Sequence, residues 1–280
     1  MPGVASSGYF RALGGNSLLS LSEQVEVSVL AIAAHRDDVE QTCGGTLLKM
    51  AEQGHRTAVL DLTRGEMGTR GTAADRARES GEAARILGVS WRGALDIPDG
   101  RVENTWENRL KVAAAIRLLR PRVLILPYWK GRHPDHYTAA KLGYEACFLA
   151  GLKKLQVAGN LDWEITFGKT IANHNSAIAN PHRPFKILYA SLYHDVRPTF
   201  VVDITAQFEA RLQSLMAYRS QYEDQPDGAG LFPAHAEIRA RTEAMARFYG
   251  LLAGVAYAEP FVQKEVGLVE DVTAIPVRSI

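Results

Sequence analysis

Two short clusters of His and Asp residues each follow an apolar run in this sequence. The first cluster, HRDD at 35–38, comes directly after VEVSVLAIAA at 25–34. The second, HPDH at 133–136, follows the run RVLILPY at 122–128. Imidazole and carboxylate groups bind divalent metals and also transfer protons near neutral pH. Buried at a strand end, such groups are costly to desolvate unless a metal compensates them, so the clusters suggest a metal site.

Helix capping is the alternative explanation of the first cluster. Asp37 can act as the N-cap of a following helix, and Glu40, three positions on, completes a variant of the capping box. Taken alone, the first cluster fits capping and metal binding equally well. The second cluster favours metal binding, because two such clusters at equivalent ends of parallel strands would converge. His35 and Asp38 can then point at one centre, while Asp37 between them must point elsewhere.

Strand-like and helix-like segments alternate through the first half of the chain. The predicted strands are 25–34, 56–63, 93–98 and 122–128, and the predicted helices are 39–54, 74–88, 106–121 and 135–152. This alternation predicts an α/β fold with a Rossmann-like, mostly parallel sheet and helices on both faces. Functional sites in such folds lie beyond the carboxyl ends of the strands, where both clusters fall.

The pattern predicts one domain over residues 25–280, preceded by a flexible Gly- and Ser-rich leader at 1–24. Residues 25–152 form the Rossmann-like core with the metal site, and 153–280 form a C-terminal elaboration. The predicted elements of that elaboration are strands at 185–191 and 199–204 and helices at 206–222 and 234–254. The break at 223–233 is either a mobile loop over a site or an ordinary surface connection.

Charge and composition exclude several classes of partner. A formal charge of +1, without a run of like charges, gives no field that would gather nucleic acid or an anionic membrane. No apolar stretch has the roughly 18 residues that a membrane span needs. The two cysteines, Cys43 and Cys147, lack the spacing of a metal clip or a redox pair. We therefore expect a cytoplasmic protein that binds neither nucleic acid nor membranes.

Two enzyme classes are disfavoured by the motifs that the sequence lacks. A dinucleotide-dependent oxidoreductase needs a GxGxxG turn after its first strand, but this chain has HRDDVEQTCGG there. A serine hydrolase of the α/β type needs a GxSxG elbow, and none follows a predicted strand. A catalytic zinc site takes three N or O ligands and leaves a position for water, and two His and one carboxylate of the clusters would suffice for it.

The order AHRDDVE, GG and then HPDH resembles the LmbE-like (PIG-L) family of zinc-dependent de-N-acetylases, which act on N-acetylglucosamine attached to another group. The segments ADRARESGEAARILGV, RPTFVVDIT, YRSQY and GLLAGVAYAEPF look like the subgroup that deacetylates N-acetylglucosaminyl malate in bacillithiol biosynthesis. The resemblance covers residues 26–262 and implies an amidohydrolase of the LmbE-like fold that forms a homo-oligomer, possibly a hexamer. A deacetylase of N-acetylglucosamine, chitobiose or another glycan, and a non-catalytic metal- or sugar-binding relative, are the alternatives.

The resemblance implies roles for the residues of both clusters. Three of them would bind one Zn²⁺ per chain, or another divalent metal: His35, Asp38 and His136. Asp37 would be the general base, and because metal binding does not require it, its presence argues against a non-catalytic relative. His133 would stabilise the oxyanion or donate a proton, with Asp135 orienting it.

Candidate substrate-binding residues lie in and around the same loops. Arg76 matches a substrate-contacting arginine of the family, although an exposed helix charge explains it equally well. Arg36 stands where the family usually has proline, and it could weaken metal binding or project outward towards an anionic substrate. Arg132, Lys130 and Arg36 could meet the two carboxylates of a malate conjugate, or be solvated loop charges. Tyr193 could reach the site from the second half of the chain.

Overall fold

The computed structural model describes residues 26–157, 163–169, 178–192, 194–223 and 234–275. Three sequence-based expectations fall outside these ranges: the leader at 1–24, the candidate Tyr193, and most of the break at 223–233.

The described strands form one mixed sheet. They are β1 Val29–Ala33, β2 Thr57–Asp61, β3 Trp91–Ala94, β4 Val123–Pro127, β5 Glu164–Phe167, β6 Lys186–Ala190, β7 Phe200–Asp203 and β8 Ala258–Val262. Their order across the sheet is β5-β3-β2-β1-β4-β6-β8-β7. Strands β3, β2, β1, β4 and β6 pair in parallel, whereas β5 is antiparallel to β3, and β8 is antiparallel to both β6 and β7. The predicted mostly parallel sheet is confirmed.

The helices lie on both faces of the sheet, as predicted. They are α1 Asp38–Thr42, α2 Gly44–Glu52, α3 Ala73–Ile86, α4 Trp106–Leu119, α5 Pro134–Ala150, α6 Phe208–Met216, α7 Arg219–Tyr222 and α8 His235–Leu251. In β1, Leu30 and Ile32 pack into the apolar cluster that also contains α4 and α5 side chains. Val29 and Ala31 pack into the opposite cluster, with Leu47 of α2. Because both faces are covered, β1 is apolar throughout.

The helix predicted at 39–54 is two helices, and the difference has a physical cause. The chain breaks at Cys43, where φ is −143° and ψ is 15°. The backbone N–H groups of Gly45 and Thr46 then donate to the buried carboxylate of Glu259 at 2.9 and 2.7 Å. The negative carboxylate therefore stabilises a second helix N-terminus that the local pattern did not reveal.

Two further boundaries differ from the predictions. The strand predicted at 93–98 is β3, which begins earlier, at Trp91, and ends at Ala94, opposite Asp61, the last residue of β2. The helix predicted at 206–222 is divided into α6 and α7 at Tyr218, where ψ is 65°. No helix in the described part of the chain has the length and hydropathy needed to cross a membrane.

Candidate metal and catalytic site

The two clusters meet at the carboxyl ends of the adjacent strands β1 and β4. Nδ1 of His35 lies 3.1 Å from Nε2 of His136. Asp38 completes the group, with Oδ1 at 3.2 Å from Nε2 of His136 and Oδ2 at 3.6 Å from Nδ1 of His35. Ligand atoms around one tetrahedral zinc ion are on the order of 3.3 Å apart. The three residues that the resemblance implies as metal ligands therefore have a spacing that fits one ion.

His35 also belongs to two other groups whose possible ligand atoms lie within 4.8 Å of one another: His35 with His133 and His136, and His35 with Asp99 and Asp135. The second group surrounds the other ring nitrogen, since Nε2 of His35 lies 3.1 Å from Asp99 and 3.2 Å from Asp135. A metal-binding histidine commonly donates its second ring N–H to a carboxylate. A metal bound by His35 would therefore be held at Nδ1, with the Nε2–H donated to these carboxylates.

Asp135 is buried and orients His35, not His133. Its carboxylate accepts hydrogen bonds from the backbone N–H groups of Gly100 at 2.9 Å and Val102 at 3.1 Å. Its link to His133 is through the main chain, because the Asp135 backbone N–H donates to Nδ1 of His133 at 3.2 Å. The expectation that the Asp135 carboxylate orients His133 is therefore wrong. In the first turn of α5, this side chain points back at the ends of β1 and β3 instead.

Asp37 has two hydrogen-bond partners outside the group of His35, Asp38 and His136. Its φ of 102° is in the left-handed region, which aspartate tolerates better than most residues. Its Oδ1 accepts a hydrogen bond from the Arg76 guanidinium at 3.2 Å. Its Oδ2 accepts one from the Tyr222 hydroxyl at 2.5 Å. The neighbouring aspartates thus face different partners.

The capping explanation of the first cluster is wrong. Asp37 does precede α1, but its side chain makes no capping hydrogen bond. Glu40 does not reach back to the helix start either, because its buried carboxylate pairs with Arg92 of β3 at 2.5 Å. Arg92 also pairs with Asp61 at 2.9 Å, so it is buried between two carboxylates. Glu40 therefore belongs to an ion network between α1 and the sheet.

The two arginines expected near the first cluster are both buried. Arg36 lies fully inside the protein, where its guanidinium contacts the Glu164 carboxylate of β5 and donates to the carbonyl of Ala73 at 3.1 Å. It does not project outward, so that expectation is wrong, whereas an effect of its charge on metal binding stays a prediction. Arg76 is no exposed helix charge, because it contacts Asp37 and the carbonyl of Arg36. Direct contact between Arg76 and substrate stays a prediction.

Other candidates lie at the mouth of the site. Lys130 lines a cavity together with Asp38 and His136. Arg132 and His133 are exposed, and the imidazole rings of His133 and His35 are 4.7 Å apart at their centroids. The exposed His133 ring can therefore meet a molecule that approaches His35, Asp38 and His136, with Lys130 and Arg132 just before it in sequence.

The carboxylates give the site a strongly negative field. Burial lowers the pKa of His35, but the carboxylates of Asp135, Asp38 and Asp99 outweigh burial and raise that pKa to about 12. Burial opposes ionisation of Asp38, yet its contacts with His136 and His35 hold its pKa well below the usual range. A pocket that binds a proton this strongly is suited to a divalent cation.

Asp37 and His133 shift towards opposite protonation states. Burial raises the pKa of Asp37, and the opposing effects of Arg76 and Tyr222 do not cancel the rise. Burial lowers the pKa of His133, as do the charges of His35 and His136. A base whose pKa moves towards neutrality is better suited to accept a proton in a reaction near pH 7.

Comparison with known proteins identifies the family. Residues 30–147 match the PIG-L family, described as GlcNAc-PI de-N-acetylase. The chain is 32% identical over 242 residues to the diacetylchitobiose deacetylase of Thermococcus kodakarensis, covering 82% of this chain and 80% of that protein. The chain belongs to the PIG-L (LmbE-like) family of de-N-acetylases, which are amidohydrolases that act on N-acetyl groups.

Two solved structures share the fold along most of their length. The conserved protein TT1542 from Thermus thermophilus superposes with a TM-score of 0.71 at 38% identity, covering 87% of this chain and 98% of that one. The N,N′-diacetylchitobiose deacetylase from Pyrococcus horikoshii superposes with a TM-score of 0.68 at 27% identity, covering 84% and 82% respectively. The similarity therefore extends well beyond the two clusters.

Two residues of the site, Asp99 and Tyr222, were not predicted from the sequence. Asp99 directly follows the segment predicted as the third strand, so its position at a strand end was a usable signal. Tyr222 lies in the segment YRSQY, which carries part of the family resemblance, but nothing local indicates that its hydroxyl reaches Asp37. Contacts between such distant parts of the chain become visible only in the fold.

Proposed function

We propose that this protein is a zinc-dependent hydrolase that removes the N-acetyl group from an N-acetylglucosamine conjugate. One observation carries the proposal: the adjacent residues Asp37 and Asp38 have separate environments. Asp38 faces His35 and His136, whereas Asp37 is held by Arg76 and the Tyr222 hydroxyl. A site with one carboxylate for a metal and another for a proton is what amide hydrolysis requires. Membership of a de-N-acetylase family supports the choice of bond.

Three residues would hold one metal ion per chain: His35, Asp38 and His136. Two imidazoles and a carboxylate form a donor set typical of catalytic zinc, which leaves a coordination position open. Another divalent ion that accepts nitrogen and oxygen ligands could occupy the same group. When bound, the ion would polarise the acetyl carbonyl and lower the pKa of water.

The remaining groups would move protons and stabilise charge. Asp37 accepts the proton of the attacking water, with its carboxylate orientation fixed by Arg76 and Tyr222. Nδ1 of His133 accepts the Asp135 backbone N–H, so a neutral His133 carries its proton on Nε2. That Nε2–H can donate to the oxyanion. Donation to the leaving nitrogen would require a second proton on Nδ1, which would replace the hydrogen bond from the Asp135 backbone.

N-acetylglucosaminyl malate, an intermediate of bacillithiol biosynthesis, is our first candidate substrate. The two carboxylates of malate would meet Lys130, which lines the cavity, and the exposed Arg132. Arg36 cannot contribute because it is buried against Glu164. We also propose a cytoplasmic homo-oligomer, possibly a hexamer, that binds this small molecule and neither nucleic acid nor membrane. The buried free thiols Cys43 and Cys147 suit a reducing compartment.

N,N′-diacetylchitobiose is the second candidate, and the comparisons favour it. Two of the similar proteins, from Thermococcus kodakarensis and Pyrococcus horikoshii, are named as deacetylases of this disaccharide. A neutral disaccharide needs no cations at the mouth of the site. The two candidates therefore make different demands on Lys130 and Arg132.

The test is release of primary amine by zinc-loaded protein from N-acetylglucosaminyl malate, diacetylchitobiose and free N-acetylglucosamine. A chelated sample and the Asp37→Asn variant serve as controls. Zinc-dependent turnover of the malate conjugate alone would support both the deacetylation chemistry and N-acetylglucosaminyl malate as the substrate. Turnover of chitobiose alone would support the chemistry and make diacetylchitobiose the substrate. No turnover of any amino sugar by protein with bound zinc would overturn the proposal in favour of a binding protein.

A further inference from the structure

The chain beyond β8 forms an exposed apolar arm, here defined as residues 265–275. Apart from a 3-10 turn at Val272–Ala274, the arm has no regular secondary structure. Val266 is 96% exposed and Leu268 is 91% exposed. Three more apolar side chains of the arm are also exposed: Val269, Val272 and Ile275. So many exposed apolar groups in a short segment indicate a surface that another surface covers.

A second apolar surface lies on the outer side of α5 and just before β6. We call it the aromatic groove, a cavity of about 470 Å³ whose apolar lining includes Tyr144, Phe148, Phe185 and Ile187. Phe185 is 76% exposed and Phe148 is 57% exposed. Large aromatic side chains in a concave surface are the groups that most often anchor a protein interface.

The arm begins at the edge of this groove. Glu265, the first residue of the arm, lines the groove. The ammonium group of the preceding Lys264 lies over three aromatic rings, at 4.5 Å from the ring centre of Trp129, 5.0 Å from that of Tyr144 and 4.8 Å from that of Tyr189. The start of the arm is therefore fixed to the body, while its apolar side chains beyond Lys264 are exposed.

The arm and the groove carry opposite charges. The arm contains three acidic residues, Glu265, Glu270 and Asp271, and no basic residue. The groove is lined by Arg109, which pairs with Glu145 at 2.9 Å, and by the exposed Arg183, whose guanidinium lies 4.8 Å from the Phe148 ring centre. The exposed Arg122 adds a positive charge beside the groove, 5.3 Å from the Phe185 ring centre. An acidic apolar segment and a basic apolar groove are complementary surfaces.

We propose that the arm of one copy of this protein binds in the aromatic groove of a second copy, so that arm exchange forms the homo-oligomer. The two complementary surfaces belong to the same chain, and the arm leaves its own groove uncovered. Two copies that exchange arms cover both surfaces at once, which is the behaviour of a closed symmetric assembly. This interface uses none of the proposed catalytic residues and does not depend on the proposed deacetylation.

The first test is the molar mass of the full chain by light scattering after size-exclusion chromatography. We expect a multiple of the 30.7 kDa chain for the wild type, and a loss of that assembly in Leu268→Asp and in Phe185→Asp. Both side chains are mostly exposed, so the variants should keep the wild-type far-UV circular dichroism. Leu251→Asp is the matched control, because Leu251 is an apolar side chain on α8 that is 64% exposed.

Disulfide trapping then distinguishes exchange between copies from binding within one copy. The variants Leu268→Cys and Phe185→Cys are mixed under oxidising conditions, where the native thiols are protected by burial. A disulfide-linked dimer formed in the mixture, and not by either variant with Leu251→Cys, would support arm exchange. Arm exchange would be overturned by a monomeric wild type, or by an assembly that Leu251→Asp breaks and Leu268→Asp does not. It would also be overturned if a chain carrying both Leu268→Cys and Phe185→Cys closed only an internal disulfide.

Discussion

Tyr222 donates a hydrogen bond to the carboxylate of Asp37 from a position 185 residues later in the chain. Its short helix α7 is held against α3, because the Ser220 backbone N–H and hydroxyl both donate to Glu79 at 2.7 Å. The same helix α3 carries Arg76, the other partner of Asp37. One packed pair of helices therefore orients the proposed base, separately from the strand ends that carry the proposed metal ligands.

The two aspartates should respond differently to the same substitution. Asp37→Asn should bind zinc with wild-type stoichiometry but lose about 10²–10⁴ in kcat, because the amide cannot accept a proton. Asn also tolerates the left-handed backbone at this position. Asp38→Asn should lose zinc itself, since a ligand is removed. Zinc content after dialysis, measured beside kcat, checks both expectations. Wild-type turnover by Asp37→Asn would contradict the role of Asp37 as the general base.

The pH dependence of activity should report the contacts of Asp37. Burial raises the pKa of Asp37, and the Arg76 charge and the Tyr222 hydrogen bond lower it. Tyr222→Phe removes one of the lowering effects, so the pKa rises further. Because a base works in its deprotonated form, the acidic limb of the kcat/KM profile should move to higher pH.

The control for this experiment is Tyr218→Phe. Tyr218 lies on the same segment and is buried, but its hydroxyl has no hydrogen-bond partner in the described part of the chain. The acidic limb of the kcat/KM profile of Tyr218→Phe should therefore stay at the wild-type pH. An unchanged limb in Tyr222→Phe would mean that this hydrogen bond does not tune the base.

Zinc binding to chelator-treated protein should release protons near pH 7. His35 has a pKa of about 12 among its carboxylates, so it is protonated at neutral pH and must lose a proton to bind a metal. The pKa of His136 is also raised, because its contact with Asp38 outweighs burial, and it adds a fraction of a second proton. Calorimetric titration in buffers of different ionisation enthalpy measures the number released. A value of zero would contradict the assignment of His35 as a ligand.

Asp99 should matter for zinc affinity without touching the ion. It faces Nε2 of His35 at 3.1 Å, and loss of such a partner of a metal-binding histidine typically weakens metal binding by roughly 10–100-fold. Asp99→Asn should show this loss in a competition titration with a zinc chelator. Asp96→Asn is the matched control, since Asp96 is exposed and pairs with Lys111. Equal affinities of the two variants would remove Asp99 from the site.

Arg36 should stabilise the fold and not bind substrate. Arg36→Met removes a buried charged hydrogen-bond donor from Glu164 and Ala73, which should lower the free energy of unfolding by about 1.5–3 kcal/mol. Its KM should stay unchanged. Arg132→Met changes an exposed residue. If the malate conjugate is the substrate, this variant should raise KM and leave the free energy of unfolding unchanged. Denaturant unfolding and steady-state kinetics measure the two effects. A raised KM in Arg36→Met would restore its role at the substrate.

Some errors of sequence interpretation share one cause. Arg36 and Glu40 carry charges that local pattern assigns to a surface loop and a helix cap. In the fold, β5 brings Glu164 to Arg36, and β3 brings Arg92 to Glu40. A charged residue whose partner is supplied by a distant strand cannot be distinguished from a solvated one by its neighbours in sequence.

The sequence by itself determined the parallel core of the sheet and the meeting of the two clusters. An apolar run buried on both faces is a local property, and parallel strands with helical crossovers bring their carboxyl ends to one edge. Only the tertiary structure decided which carboxylate contacts which histidine, and which side chains hydrogen-bond to Asp37. Those contacts depend on α3, α7 and the loop at 99–102, whose positions are fixed by packing of segments far apart in the chain.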